Sequence, residues 1–379
     1  MHRYLILLFA GAFILATPVC AGLVLFVPGS DSVSTTGIRD MADGPEDTVI
    51  FATDNARSEY NGTWSIHHWQ FGDIEKSPLS DFVTAVECDS SGNLWIGYPC
   101  GLQVYNGSSY TTIRDQQLLK NLAVNDLQAR REEMWVATGN AGIHRYFRGA
   151  WTWFKPHAPG SPGCYTVREM AVDYTTGRLY AASENSGLWV LDESEGTTEF
   201  HELFDRGQRI SGIHGIGSDI FGGVFFYNRT HLFRYREGGD VEIVFSIAEA
   251  PLGSNEINGA DQTSGGMYVI ATDGGISGWQ DGSFILHLDR RDGIGTNLVK
   301  FIAVDTADRI WFANPCHFVG YYREDSSAPL IPVMPAYTPE VAENLPEEPA
   351  VADETDDPTV IGQIIGSIRG VLGMVIPES

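Results

Sequence analysis

Five cysteines in 379 residues, with no Cys-x-x-Cys pair, support neither a disulfide scaffold nor a structural zinc site of ordinary spacing. Basic residues are scarce as well. The 24 of them face 49 acidic residues for a formal charge of −25, and only four are lysine, which excludes nucleic acid as an expected partner. There is no HExxH, GxSxG, P-loop or dinucleotide fingerprint, so no cofactor is expected and no common catalytic class is marked. His67 and His68 are neighbours in an expected strand, where alternate side chains face opposite ways, so the pair does not clamp a metal. What the chain has in excess is glycine. Its 42 glycines follow no collagen period and stand beside 11% aromatic and 43% hydrophobic residues, a composition of many short strands joined by tight turns around a real core.

The two ends differ from the middle. From Tyr4 to Val27 there are 24 uncharged, mostly apolar residues, about 36 Å as a helix. Arg3 precedes them and the next base is Arg39, so a single-pass signal-anchor over residues 1–29 would leave the rest outside the membrane. The other reading is a cleaved signal peptide with its apolar run at Leu5 to Leu15 and small residues near Ala21; anchoring is preferred because cleavage there leaves apolar Leu23 to Val27 at the new terminus. At the other end, 336–359 is an acidic, proline-rich linker, eight acids and no base between Pro335 and Pro358. Residues 360–379 then carry a helical apolar stripe at Ile361, Ile364, Ile365, Ile368, Val371, Leu372 and Val375, with Gly362, Gly366 and Gly370 on another face. An interfacial or partner-binding helix is the first reading, a second membrane anchor the next.

Between them, over 30–335, runs a repeat. An apolar triplet with an aromatic in second place recurs around Phe51, Trp95, Trp135, Tyr180, Phe225, Tyr268 and Trp311, at spacings of 44, 40, 45, 45, 43 and 43. The second copy shows the grammar best: Val83, Val86, Asp89 and Gly92, then Leu94-Trp95-Ile96, a turn, a third strand from Gly101 to Tyr105, and a hairpin signal at Asn106-Gly107. Such a four-stranded meander cannot bury both faces alone, whereas a ring of them can. The fold expected is an all-β, seven-bladed β-propeller, six blades being the alternative. Its weak point is the last blade, whose only downstream candidate for a fourth strand, Leu330 to Met334, contains Pro332.

The run Asp89-Ser90-Ser91-Gly92-Asn93-Leu94-Trp95-Ile96-Gly97, followed by Gly101-Leu102, resembles the two-component regulator propeller repeat, and Asp305 with Ile310-Trp311-Phe312 is a weaker copy. The resemblance covers about 300 residues. It implies an extracytoplasmic sensor-type propeller, a histidine-kinase partner and glycan recognition; no kinase segment follows the repeats here.

In a propeller the first strand of each blade lines the central channel. The residue after its first apolar anchor reads Arg39, Thr84, Asn125, Arg168, Ser211, Asn258 and Lys300, all polar and none acidic. Polar walls suit a water-filled channel; the sharper expectation is an anion site at Arg39, Arg168 and Lys300 for a carboxylate-bearing sugar or peptide. A second polar set, Asp81, Asn255 and Asn297, lies in the loops entering these strands, where turn chemistry is the competing explanation. Asn61, Asn106 and Asn228 begin Asn-x-Ser/Thr sequences, glycosylation signals on an exported chain. Cys88 and Cys100 bracket one strand and lie too far apart to bond, while Cys100 and Cys316 become neighbours only in a six-bladed ring. The expectation is a membrane-anchored, extracytoplasmic binding or interaction module for an unknown protein, glycan or small anion. A structural surface propeller is the first alternative and a propeller lyase or hydrolase the second; an enzyme is not expected.

Overall fold

A computed structural model describes residues 22–323 apart from 30, 73–74, 114–121, 184, 194–195, 250–253 and 316. It is a seven-bladed propeller built of seven separate antiparallel sheets. Each aromatic triplet forms the second strand of a blade, as in Val49–Thr53, Leu94–Tyr98 and Glu133–Thr138. These strands are buried on both faces because each sheet is covered by a neighbouring blade on either side. Phe51, Trp135, Tyr180, Phe225 and Trp311 are accordingly almost wholly inaccessible and fill the interfaces between blades. The inner strands touch their neighbours all round the ring, including those of blades 7 and 1.

The Asp of the repeat has a mechanical role. Asp89 accepts hydrogen bonds from the backbone N–H of Ser91 and Asn93, both at 2.9 Å, and from the Trp95 indole N–H at 2.9 Å. Asp305 does the same for Ala307, Arg309 and the Trp311 indole, the last at 2.7 Å. One carboxylate thus closes the inner hairpin and fixes the large ring of the next strand, and this explains the spacing of Asp and Trp by six.

The ring closes with a strand from the wrong end of the chain for the sequence reading. Blade 7 runs Phe301–Val304, Ile310–Ala313 and Val319–Tyr322, and its outer strand is Leu23–Phe26. Leu23 pairs with Tyr322 and Phe26 with Val319. Leu330 to Met334, the candidate downstream, lies outside the described residues, and its place in the sheet is taken. The propeller therefore begins at residue 22 rather than 30. The apolar character of Leu23 to Phe26 comes from burial: Phe26 packs among Tyr60, Trp64 and Trp311 at ring separations of 5.1 to 6.2 Å. Gly22 is tied to Arg323, whose N–H donates to its carbonyl at 3.0 Å, and a Cβ there would lie 2.0 Å from the Arg323 carbonyl oxygen. The start and the end of the ring thus meet.

Residues 1–21 and 324–379, which include most of the expected anchor, the acidic linker and the terminal apolar stripe, lie outside the described residues. Among the described residues no helix is long and apolar enough to cross a membrane.

Candidate channel-mouth binding site

The inner strand of every blade is a sheet edge, so its outward N–H groups need acceptors. A belt of carboxylates supplies them across the blade junctions. Asp40 accepts from Val86 N–H at 2.9 Å, Asp126 from Met170 at 2.6 Å, Glu169 from Ile216 at 3.0 Å and Asp261 from Val304 at 2.7 Å. Glu87 faces the Ala129 N–H in the same way. Asp43 of blade 1 accepts from Thr306 of blade 7 at 3.2 Å, which ties the closure.

Protein crowds these half-buried groups along the channel wall, and burial raises them all. Asp40 and Asp261 rise to about 6 and Glu87 and Glu169 to about 7. Asp126 rises well above the usual range, first through burial and then through Asp40 and Glu169 facing it.

The expected column sits at one end of this belt. Its neutral members act as a second set of ties, each reaching a carbonyl of the next blade: Thr84 Oγ1 donates to Val124 at 2.6 Å, Asn125 Nδ2 to Val167 at 2.7 Å and Asn258 Nδ2 to Val299 at 2.9 Å. Arg39, Arg168, Asn258 and Lys300, from blades 1, 4, 6 and 7, line one cavity of about 320 Å³ at the channel mouth. Arg39 lies over the Phe82 ring at 4.3 Å. Lys300 is answered by Asn258 at 2.6 Å and Glu256 at 3.1 Å. Beneath these cations the same cavity meets Asp40, Glu169 and Asp261, and one wall is aromatic, made by Phe225 and Tyr227.

Two features of this site escape the sequence column. Ser211 does not belong to it: the fully buried anchor of blade 5 is Ile213, and the His214 N–H makes the bond to Tyr227 that Arg168 and Lys300 make to Ala182 and Ala313. His214 is therefore the fifth member, and Ser211 lines a different cavity. The acids were also legible one residue further on, since Asp40, Asp126 and Glu169 directly follow Arg39, Asn125 and Arg168. A backbone irregularity at Arg39 and Asn125 lets consecutive residues both serve the channel.

The loop set ties loops to neighbouring segments. Asp81 accepts the Trp69 N–H at 2.6 Å, Asn255 donates twice to Asp273 at 2.6 and 2.8 Å, and Asn297 accepts the Arg290 N–H at 2.9 Å. Asn61, Asn106 and Asn228 each accept from the residue two positions on, at 3.4, 3.0 and 2.8 Å. Asn61 and Asn106 are exposed, whereas Asn228 is half-buried and lines a cavity. Cys88, Cys100 and Cys164 are free thiols, and Cys316 lies outside the described residues. His67 and His68 pair separately, with Glu59 at 3.2 Å and Asp81 at 3.4 Å. Among the described residues no three metal-ligating groups converge.

The fold has many solved counterparts. The extracellular domain of a hybrid two-component system from B. thetaiotaomicron superposes with a TM-score of 0.62 at 16% identity, over 80% of this chain and 40% of that one. This chain thus spans about two-fifths of the length of that protein. Virginiamycin B lyase from Staphylococcus aureus matches with a TM-score of 0.58 at 15% identity, over 79% of this chain and 98% of that one. YCF48 bound to D1 peptide gives 0.55 at 16% identity, over 77% and 95%. These similarities establish the propeller fold. No family model matches the sequence, and no curated protein matches it either.

Proposed function

We propose that this chain is an exported, ligand-binding propeller of sensor type, which takes a small anion at the mouth of its channel. The observation that carries the reading is the convergence of Arg39, Arg168 and Lys300, from three separate blades, on one cavity in a protein of formal charge −25. Cations gathered against the net charge of the chain attract an anion there by charge-assisted hydrogen bonds. Acids below them set a limit on how deep that anion goes. The architecture shared with the extracellular domain of a hybrid two-component system supports a sensory role.

Export rests on the apolar N-terminal run. The main argument against leader cleavage no longer holds, since Leu23 to Phe26 pair within blade 7, with Leu23 and Phe26 buried and Val24 and Leu25 half-buried. Either processing at Ala21 or an anchor ending there leaves the ring outside the membrane. Calorimetric titration of the full chain with acetate, phosphate and a uronate tests the binding reading. Binding that weakens at least tenfold in Arg168→Ala is expected; binding equal in wild type and variant removes the cationic mouth from the account.

A further inference from the structure

Tyr227 separates two cavities. It lines the channel mouth and also a second cavity of about 220 Å³ at the junction of blades 4 and 5. The phenol ring takes this position over Gly215, where a Cβ would come within 2.4 Å of its hydroxyl. Among the described residues blade 4 alone has a fifth strand, and that strand lines the second cavity. The blade's outer strand Glu199–Asp205 turns at Arg206-Gly207, both with positive φ, and returns as Gln208–Arg209, so that the chain passes over blade 5. Ile210, Ile213, Phe226, Phe233 and Val241 supply the apolar part of this cavity's lining, and polar side chains supply the rest, among them Arg209, which pairs with Glu202.

We propose that the ligand of the channel mouth is an apolar carboxylate, whose carboxylate rests at Arg39 and Arg168 while its apolar arm crosses Tyr227 into the cavity between blades 4 and 5. This inference rests on the channel-mouth reading and adds the ligand class. Arg168 lines the channel-mouth cavity with Tyr227, whose buried phenol feels first Glu169 and then Arg168. A carboxylate that carries an apolar arm therefore has cation on one side of Tyr227 and hydrocarbon on the other. Burial of the arm adds affinity in proportion to the apolar area removed from water. Two sources share this chemistry, a free branched or aromatic acid and the C-terminal residue of a peptide.

The test is calorimetry on the full chain with acetate, 4-methylvalerate, the amide of 4-methylvalerate, and a tetrapeptide ending in leucine with a free carboxylate. The inference expects 4-methylvalerate to bind at least tenfold more tightly than acetate and the amide to lose at least tenfold. In Ile210→Ser, and in the nearly isosteric Val241→Thr, the ratio between the two acids should fall toward one. Tighter binding of the peptide than of 4-methylvalerate identifies a chain terminus as the source, and weaker binding identifies a free acid. Equal affinity for acetate and 4-methylvalerate, with both still sensitive to Arg168→Ala, overturns the apolar arm and leaves the anion site standing. No binding of any anion overturns the anion site itself.

Discussion

The Asp126 carboxylate of blade 3 accepts the Met170 backbone N–H of blade 4 at 2.6 Å, so a charge-capable side chain does the work that a neighbouring strand would do in a continuous sheet. Repeated at Asp40, Glu169 and Asp261, this contact ties blade to blade along the channel wall. The arrangement is costly when ionised, because the acceptors face one another with little water between them.

That cost gives the ring a pH dependence. Asp40 and Asp261 lie at about 6 and Glu87 and Glu169 at about 7, all raised chiefly by burial. A carboxyl raised in the folded state contributes its stability in full below its unfolded value, about 4, and loses that contribution as pH rises through 6 to 7. Glu193 works in the opposite sense: the hydrogen bond from Arg130 holds it low, so its contribution is lost as pH falls below the ordinary carboxylate range. The expected melting temperature is therefore a few degrees higher at pH 5.5 than at pH 8 and falls again below about pH 3.5. A scanning-calorimetry series that rises monotonically toward pH 8 would remove the belt as a source of strain.

Substitution at Asp126 separates its charge from its hydrogen bond. Asp126→Asn retains an acceptor for the Met170 N–H and removes the buried charge, so at pH 8 it should match or exceed the wild type in stability and flatten the pH dependence. Asp126→Ala leaves the N–H groups of Met170 and Leu127 without their acceptor and should cost about 1–3 kcal/mol. Urea titration of the two variants at pH 8 gives the comparison; equal losses in both would mean that packing, not hydrogen bonding, holds the junction.

The two copies of the Asp-Trp motif should differ in cost. Asp305 is almost wholly buried and bonds the Trp311 indole, whereas Asp89 is half-buried. Asp305→Ala strands the buried Trp311 indole and the half-buried Arg309, which pairs with it at 2.5 Å, and is expected to cost about 3 kcal/mol. Asp89→Ala should cost about half of that, since water reaches part of the turn. Chemical denaturation that ranks them in the reverse order would show that solvent access does not set the cost.

The aromatic repeat made the ring legible because each Trp, Tyr or Phe in second place is needed at a blade interface whatever the ligand, so its spacing follows the architecture. Blade 5 was harder. Ile210 and Ile213 are both apolar and three residues apart, and only burial tells that Ile213 is the anchor, which moved the channel position from Ser211 to His214. Its carboxylate is also missing, because Gly215 and Gly217 leave room for the rings of Tyr227 and Phe225 to reach the channel side. The closing strand was hidden for a different reason. Leu23-Val24-Leu25-Phe26 is joined without a break to the apolar run before it, and hydropathy cannot separate a buried strand from a leader when no polar residue intervenes.

Closure by Leu23–Phe26 makes the start of the folded chain testable. A chain beginning at Ser30 lacks the outer strand of blade 7 and uncovers the edge of Val319–Tyr322 together with Trp311, whose indole neighbours Phe26. Such an edge is unpaired and apolar, the condition under which strands add to other molecules. A chain beginning at Gly22 keeps every pairing from Leu23↔Tyr322 to Phe26↔Val319. Light scattering should find the chain from Gly22 monomeric and cooperative on heating, and the chain from Ser30 associated or melting well below it. The same strand bears on export, because if the leader is removed the mature chain should start at or just before Gly22. An N-terminal mass that places the cut beyond Phe26 would leave the ring without its fourth strand in blade 7, and the closure described here could not be that of the mature protein.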